Sequence, residues 1–244
     1  MEARQKIRES MAEGSRGPDG AGTLASTVYR QLRHDIVKGI LTPGEKLRIE
    51  SLRDRYGVGG SPIREALNRL CSEGLVSQRD QRGFCVAPVS VDDLQELLRT
   101  RCWVNEIALR EAIARGDEAW EEAIVLAFHR LLRTPERLPD APDTPNPEWE
   151  QRHRTFHSAL IAACDSHWLR GFAEMLFDCA DRYRHLSGHV RAQPQRDIAG
   201  EHRAIMEATI NRDTATAVRL LNEHAILTAE LLRQSPGMLQ AATE

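Results

Sequence analysis

The chain has 244 residues, 41% hydrophobic and 28% charged, which is the composition of a globular protein with room for two modest cores. Its formal net charge of -3 is unevenly divided: residues 24–88 carry 11 Lys and Arg against 7 Asp and Glu, and residues 89–244 carry 18 against 25. A basic amino-terminal module ahead of an acidic remainder suits a polyanion at one end only. No apolar run can span a bilayer, Met1–Gly22 lacks a signal-peptide core, and the scattered Cys71, Cys85, Cys102, Cys164 and Cys179 form no CxxC pair; reduced, mostly structural thiols are favoured over a disulfide frame, and a cytoplasmic location is expected.

Residues 1–22 end in a Gly-rich stretch and read as a disordered tail. A helix is predicted from Leu24 to Lys38, with Val28, Leu32 and Ile36 at helical spacing, and the Leu-Thr-Pro-Gly turn at 41–44 stops it. A short helix follows from Ile49 to Tyr56, with Gly57 as its turn. Ser61 is expected to cap a third helix that carries Pro62 in its first turn, where a missing N–H costs nothing. Leu75-Val76 and Phe84-Cys85-Val86 then read as two strands around a hairpin at Gly83.

This order, three helices and a hairpin, is that of a winged helix-turn-helix over residues 23–88. The third helix is the expected reader of double-stranded DNA. Ile63, Ala66, Leu67 and Leu70 share one face, so Ser61, Arg64, Glu65, Asn68, Arg69 and Ser72 face outward. Arg can take guanine or a phosphate and Asn can take adenine, while the helix N-terminus suits a phosphate. Arg79 and Arg82 flank the hairpin tip, where a wing would reach the adjacent backbone or minor groove. The competing reading is a generic fold whose exposed charges are only solvated.

The segment LTPGEKLRIESLRDRYGVGGSPIREALNRLCSEGLV resembles the amino-terminal domain of the GntR superfamily, with its Pro-Gly turn, Gly-Val turn, PxREAL and EGLV. The resemblance places Arg53, Ser61, Arg64 and Gly83 at DNA-contacting positions. Two places depart from the family's pattern: Gly60 and Glu50 stand where Arg is common. The operator therefore need not follow the commonest half-site.

From Val91 the pattern is helical, with helices predicted at 92–115, 118–133, 148–163, 167–187, 196–211 and 214–233. An extended connector is predicted at 134–147, which holds five prolines. The fold class is thus mainly α, a winged helix-turn-helix followed by an all-helical bundle over 89–236 and a tail at 237–244. Arg101 and Asn105 fall in the apolar stripe of the first of these helices and are expected to contact an effector. A buried Arg needs a carboxylate, from the protein or from a ligand.

His153 and His157 lie one turn apart on an inward face, and His202 and His224 sit in the apolar stripes of two further helices. Any single one reads as a packed core histidine. An i, i+4 pair joined by two more imidazoles also reads as a site for a divalent first-row ion, Zn²⁺ or Ni²⁺ above all. A metalloenzyme is the alternative, but His153-Arg-Thr-Phe-His157 lacks the Glu of HExxH, and a di-iron bundle needs a second Glu-x-x-His besides Glu150–His153.

RCWVNEIALREAI, HRTFHSALI, EHRAIMEA and NEH resemble the FCD-type ligand-binding domain of the FadR branch, over about residues 92–233. The resemblance implies a metal beside the carboxylate of a small effector. His157, His202 and His224 match the family's three histidines, and His153 stands at its Asp. Arg101 matches a position near the pocket, and Tyr183 and Arg184 are expected to line it. The subtype resembles regulators of the glutarate and carbon-starvation type, so a short dicarboxylate is the first expected effector. A homodimer on a pseudo-palindromic operator is expected as well.

Overall fold

In the computed structural model the described residues are 23–79, 83–186 and 196–233. The tails expected at 1–22 and 237–244, and Arg82, lie outside them. The chain divides into two compact units, one ending at Val89 and the other beginning at Ser90.

In the first unit, helix α1 (Leu24–Val37) starts where the Thr23 side chain accepts from the Ser26 N–H. It buries Val28, Leu32 and Ile36 and packs on α3 (Gly60–Ser72). Between them lies α2 (Ile49–Tyr56), ended by Gly57 in the left-handed region at φ 67, a conformation open to glycine at little cost. Strands β2 (Val76–Arg79) and β3 (Gly83–Val86) pair antiparallel, with Gln78 opposite Phe84. A strand the sequence reading lacked, β1 (Lys46–Leu47), pairs with the other edge of β3, giving the order β1-β3-β2.

The expected cap at Ser61 is corrected. Helix α3 begins two residues earlier, behind an N-cap at Gly59 that makes no side-chain hydrogen bond, so Ser61 lies within the first turn. With two glycines ahead of it the chain enters the helix without a capping oxygen. The first-turn N–H groups therefore have no side chain to satisfy them. Ile63, Ala66, Leu67 and Leu70 are all buried, as the spacing predicts.

The second unit is helical apart from one small ribbon. Helix α4 (Val91–Arg115) is capped by Ser90, and α5 (Glu118–Leu132) by Asp117, each accepting from an N–H three residues on. The proline-rich connector is extended but not single: β4 (Arg137–Leu138) and β5 (Ala141–Pro145) fold back on one another. Asn146 closes this ribbon, donating from Nδ2 to the Pro135 carbonyl at 2.8 Å and capping α6 (Pro147–Leu160) with its oxygen. Helices α7 (His167–Leu186), α8 (Ile198–Ile210) and α9 (Thr214–Arg233) complete the bundle. α4 packs on α7 and α9, and α5 packs on α6 and α8, around a core that includes Leu109, Ile124, Phe156, Leu160 and Ile205. No described helix is long and apolar enough to cross a membrane.

Candidate metal centre and nucleic-acid interface

The outward face of α3 presents Ser61, Arg64 and Asn68 to solvent, and Arg53 on α2 is exposed beside it in sequence order. Arg64 and Asn68 have no side-chain partner among the described residues. Arg69 and Ser72 do: the Arg69 guanidinium lies 3.8 Å from the Tyr29 ring centre and 3.8 Å from Glu73, and Ser72 donates to the Arg69 carbonyl. Arg69 thus ties α3 to α1 and Ser72 bonds within α3, while Ser61, Arg64 and Asn68 stay exposed. Gly83 opens β3 at φ 77 and is exposed. Arg79 ends β2, with its side chain outside the described residues.

In the second unit the fold brings together the four histidines that the sequence scatters over 72 positions. α6 supplies His153 and His157, α8 supplies His202 and α9 supplies His224, all four buried, with one ring nitrogen from each within 4.8 Å of the others. His153 Nε2 and His157 Nε2 are 3.0 Å apart. Burial and mutual repulsion hold His153, His157 and His202 well below the ordinary imidazole pKa, and burial lowers His224 against the pull of Glu201. These shifts favour the neutral ring, the protonation state in which imidazole binds metals.

Their outer contacts differ. His224 Nδ1 donates to Glu201 Oε2 at 2.6 Å, which leaves Nε2 with its lone pair. Glu201 is itself gripped by Arg196 through two bonds of 2.7 Å. Burial works against this carboxylate, but the bonds from Arg196 and His224 outweigh it and hold its pKa at about 2. His153 Nδ1 faces Arg184 at 3.4 Å, and its ring stacks on Trp149. His202 Nε2 is buried with no hydrogen-bond partner, a cost that packing alone leaves uncompensated. An orphaned imidazole nitrogen among three clustered imidazoles fits a divalent cation, which the four rings would hold. Glu201 was not singled out from the sequence, although its place next to His202 was a usable signal.

A cavity of about 150 Å³ adjoins His153 and His224. Arg101 and Arg184 both line it. The Arg101 guanidinium lies over the Phe177 ring at 5.0 Å, and its buried Nε has no partner. Burial lowers its pKa to about 10, opposed by Asp181. Arg184 is matched to Asp181 at 2.7 Å. Two expectations for this cavity need correction. Asn105 is buried on a separate small cavity that it shares with Arg101 and His157. Tyr183 is not among the lining residues: its buried hydroxyl donates to Asp93 in the first turn of α4, because on α7 it points to a different side from Arg184.

Residues 24–86 match the family model described as bacterial regulatory proteins, gntR family, and residues 96–226 match the FCD domain. The chain is 38% identical over 212 residues to the HTH-type transcriptional regulator BphR of Paraburkholderia xenovorans, covering 87% of this chain and 86% of that one. It is 37% identical over 210 residues to the HTH-type transcriptional repressor GlaR of Escherichia coli, covering 85% of this chain and 94% of that one. Among solved structures, E. coli McbR/YncC superposes with a TM-score of 0.72 at 22% identity, over 87% of this chain and 98% of that one, a likeness of fold. Both domain families and these relatives are regulators, which sets the metalloenzyme alternative aside.

Proposed function

Because this chain belongs to the GntR family of bacterial regulatory proteins and carries an FCD domain, and is a DNA-binding transcription regulator rather than an enzyme, we propose that it is a cytoplasmic repressor released by a small carboxylate. The observation that carries the sensing half is the meeting, at one cavity, of Arg101, whose Nε has no partner among the described residues, with His153 and His224, two of four clustered buried imidazoles. His153, His157, His202 and His224 would hold a divalent ion, with Zn²⁺ or Ni²⁺ favoured by an all-nitrogen donor set. Such an ion supplies a Lewis-acidic anchor for one carboxylate oxygen. Arg101 donates to the same carboxylate and offsets its charge. A short dicarboxylate such as glutarate is the candidate that the subtype resemblance supplies.

The reading half is a homodimer that sets two copies of α3 about 34–36 Å apart on a pseudo-palindrome. Arg53, Ser61, Arg64, Asn68, Arg79 and Gly83 make its contacts with DNA. Helix α7 offers a route from the cavity to the start of the second unit. Arg184 lines the cavity, while the adjacent Tyr183 bonds Asp93, three residues after the point where the second unit begins. A carboxylate that draws on Arg184 would shift α7 and, through Tyr183, the first turn of α4.

Fluorescence anisotropy with the neighbouring intergenic DNA tests this reading on Zn²⁺-loaded protein. Salt-sensitive binding is expected, weakened by Arg64→Ala and relieved by a carboxylate in the wild type but not in Arg101→Gln. Unchanged operator binding by Arg64→Ala would overturn the assignment of α3. Full carboxylate response in Arg101→Gln would overturn the sensing site.

A further inference from the structure

The cavity beside the histidines has two unlike ends. Along α4 its wall runs from Arg101 back through Leu98 and Leu97 to Leu94, and along α9 from His224 forward to Leu231 and Leu232. At about 1.5 Å per residue these stretches reach roughly 10–12 Å from the polar pair. α4 and α9 run in opposite senses, since Leu221 shares the small cavity with Arg101 and Asn105 while Leu231 and Leu232 share the large one with Leu94 and Leu97. The two polar ends therefore coincide, and so do the two apolar ends. One end is cationic and the other is a leucine wall.

Charge matching distinguishes the ends further. Of the cavity's other arginines, Arg184 and Arg196 already hold Asp181 and Glu201, each at 2.7 Å, and Arg137 is engaged as well, so among the described residues the Arg101 Nε is the donor left without a partner. That is room for one carboxylate. A second would lie against leucines, or near Glu136 and Glu150, carboxyl groups that also line the cavity. Burial already raises the pKa of Glu136, so a further anion beside it is disfavoured. The volume of about 150 Å³ matches an apolar void that takes up a single benzene molecule.

We propose that the effector is a monocarboxylate with an apolar body the size of one ring, its carboxylate toward Arg101 and the histidines and its body against Leu94, Leu97, Leu98, Leu231 and Leu232. This rests on the carboxylate-sensing reading above and replaces the short dicarboxylate within it. The leucine wall selects by excluding a second charge, and the single open donor fixes which end of the ligand enters first.

The test is calorimetric titration of the full-length, Zn²⁺-loaded protein with acetate, glutarate and phenylacetate as probes. Phenylacetate is expected to bind at least tenfold more tightly than either of the others. Leu97→Trp, which fills the apolar end, is expected to narrow the phenylacetate-to-acetate ratio at least fivefold. Leu231→Asn, which keeps the branched shape but makes it polar, is expected to do the same should the Trp variant not fold. Glutarate binding as tightly as phenylacetate overturns the two-ended assignment and leaves carboxylate sensing standing. A ratio unmoved in both folded variants also overturns it. Failure of all three probes to bind the wild type would bring down the sensing reading, and this one with it.

Discussion

Glu201 and Arg184 stand in the same relation to two of the histidines and have opposite effects. A carboxylate on His224 Nδ1 fixes the tautomer and raises the basicity of Nε2, whereas a guanidinium near His153 Nδ1 withdraws charge from the ring. The ligands should accordingly be unequal. His224→Ala is expected to weaken Zn²⁺ binding more than His153→Ala does, and Glu201→Gln to weaken it about tenfold; competition with a chromophoric chelator reads both. Equal losses for the two alanine variants would show that the outer contacts do not grade the ligands. Tyr183 makes a separate case. Tyr183→Phe leaves the cavity lining intact and removes its bond to Asp93, which should cost about 1 kcal/mol in urea unfolding. If α7 carries the signal, this variant keeps its carboxylate affinity and loses part of the DNA response. Undiminished response would rule that route out. Neither Tyr183–Asp93 nor Glu201–His224 was legible as a contact in the sequence. Each joins different helices, and periodicity speaks only for the face of one helix at a time.

At the scale of the element, α3 is where sequence and structure agree most closely, because a 3.6-residue stripe of four apolar residues leaves one way to bury it. Truncating its centre with Leu67→Ala should cost about 2–5 kcal/mol. The start of the helix was misplaced because Ser is a common cap, and only the backbone shows that Gly59 takes that place here. A cap-free, glycine-led start leaves space as well. A Cβ at Gly60 would lie 3.6 Å from the Ile49 side chain and 3.8 Å from that of Arg53, ordinary contact distances. Gly60→Arg should therefore fold and add a cation at the mouth of α3, steepening the salt dependence of operator binding by about one unit, whereas Arg64→Ala should flatten it by a similar amount if that side chain meets phosphate. A slope that Gly60→Arg leaves unchanged would mean that the α3 N-terminus does not approach the duplex. β1 escaped the sequence reading for the opposite reason: two residues carry no period, and their partner lies some forty positions away. The prolines at 134–147 announced an extended segment, but nothing local showed that it would pair with itself.

The whole molecule separates its tasks by unit, and its charge follows the same division: 11 basic against 7 acidic residues over 24–88, and 18 against 25 over 89–244. All four histidines and the cavity belong to the unit that begins at Ser90, and the exposed polar face of α3 belongs to the unit that ends at Val89. A ligand stabilises only the cooperative unit whose native form binds it, by RT ln(1 + [L]/Kd), which reaches about 2.7 kcal/mol at a hundredfold excess over Kd. Two units with separate cores need not unfold as one. Scanning calorimetry should then resolve two transitions, of which chelation lowers only one by several degrees, and Zn²⁺ followed by a bound carboxylate raises that same one in two steps. His157→Ala should remove both steps and leave the other transition in place, while Leu67→Ala should move only the transition that metal ignores. A single transition that shifts as a whole under chelation would mean that the two units are thermodynamically one, and the effector signal would then have to be sought in their shared stability rather than in α7 alone.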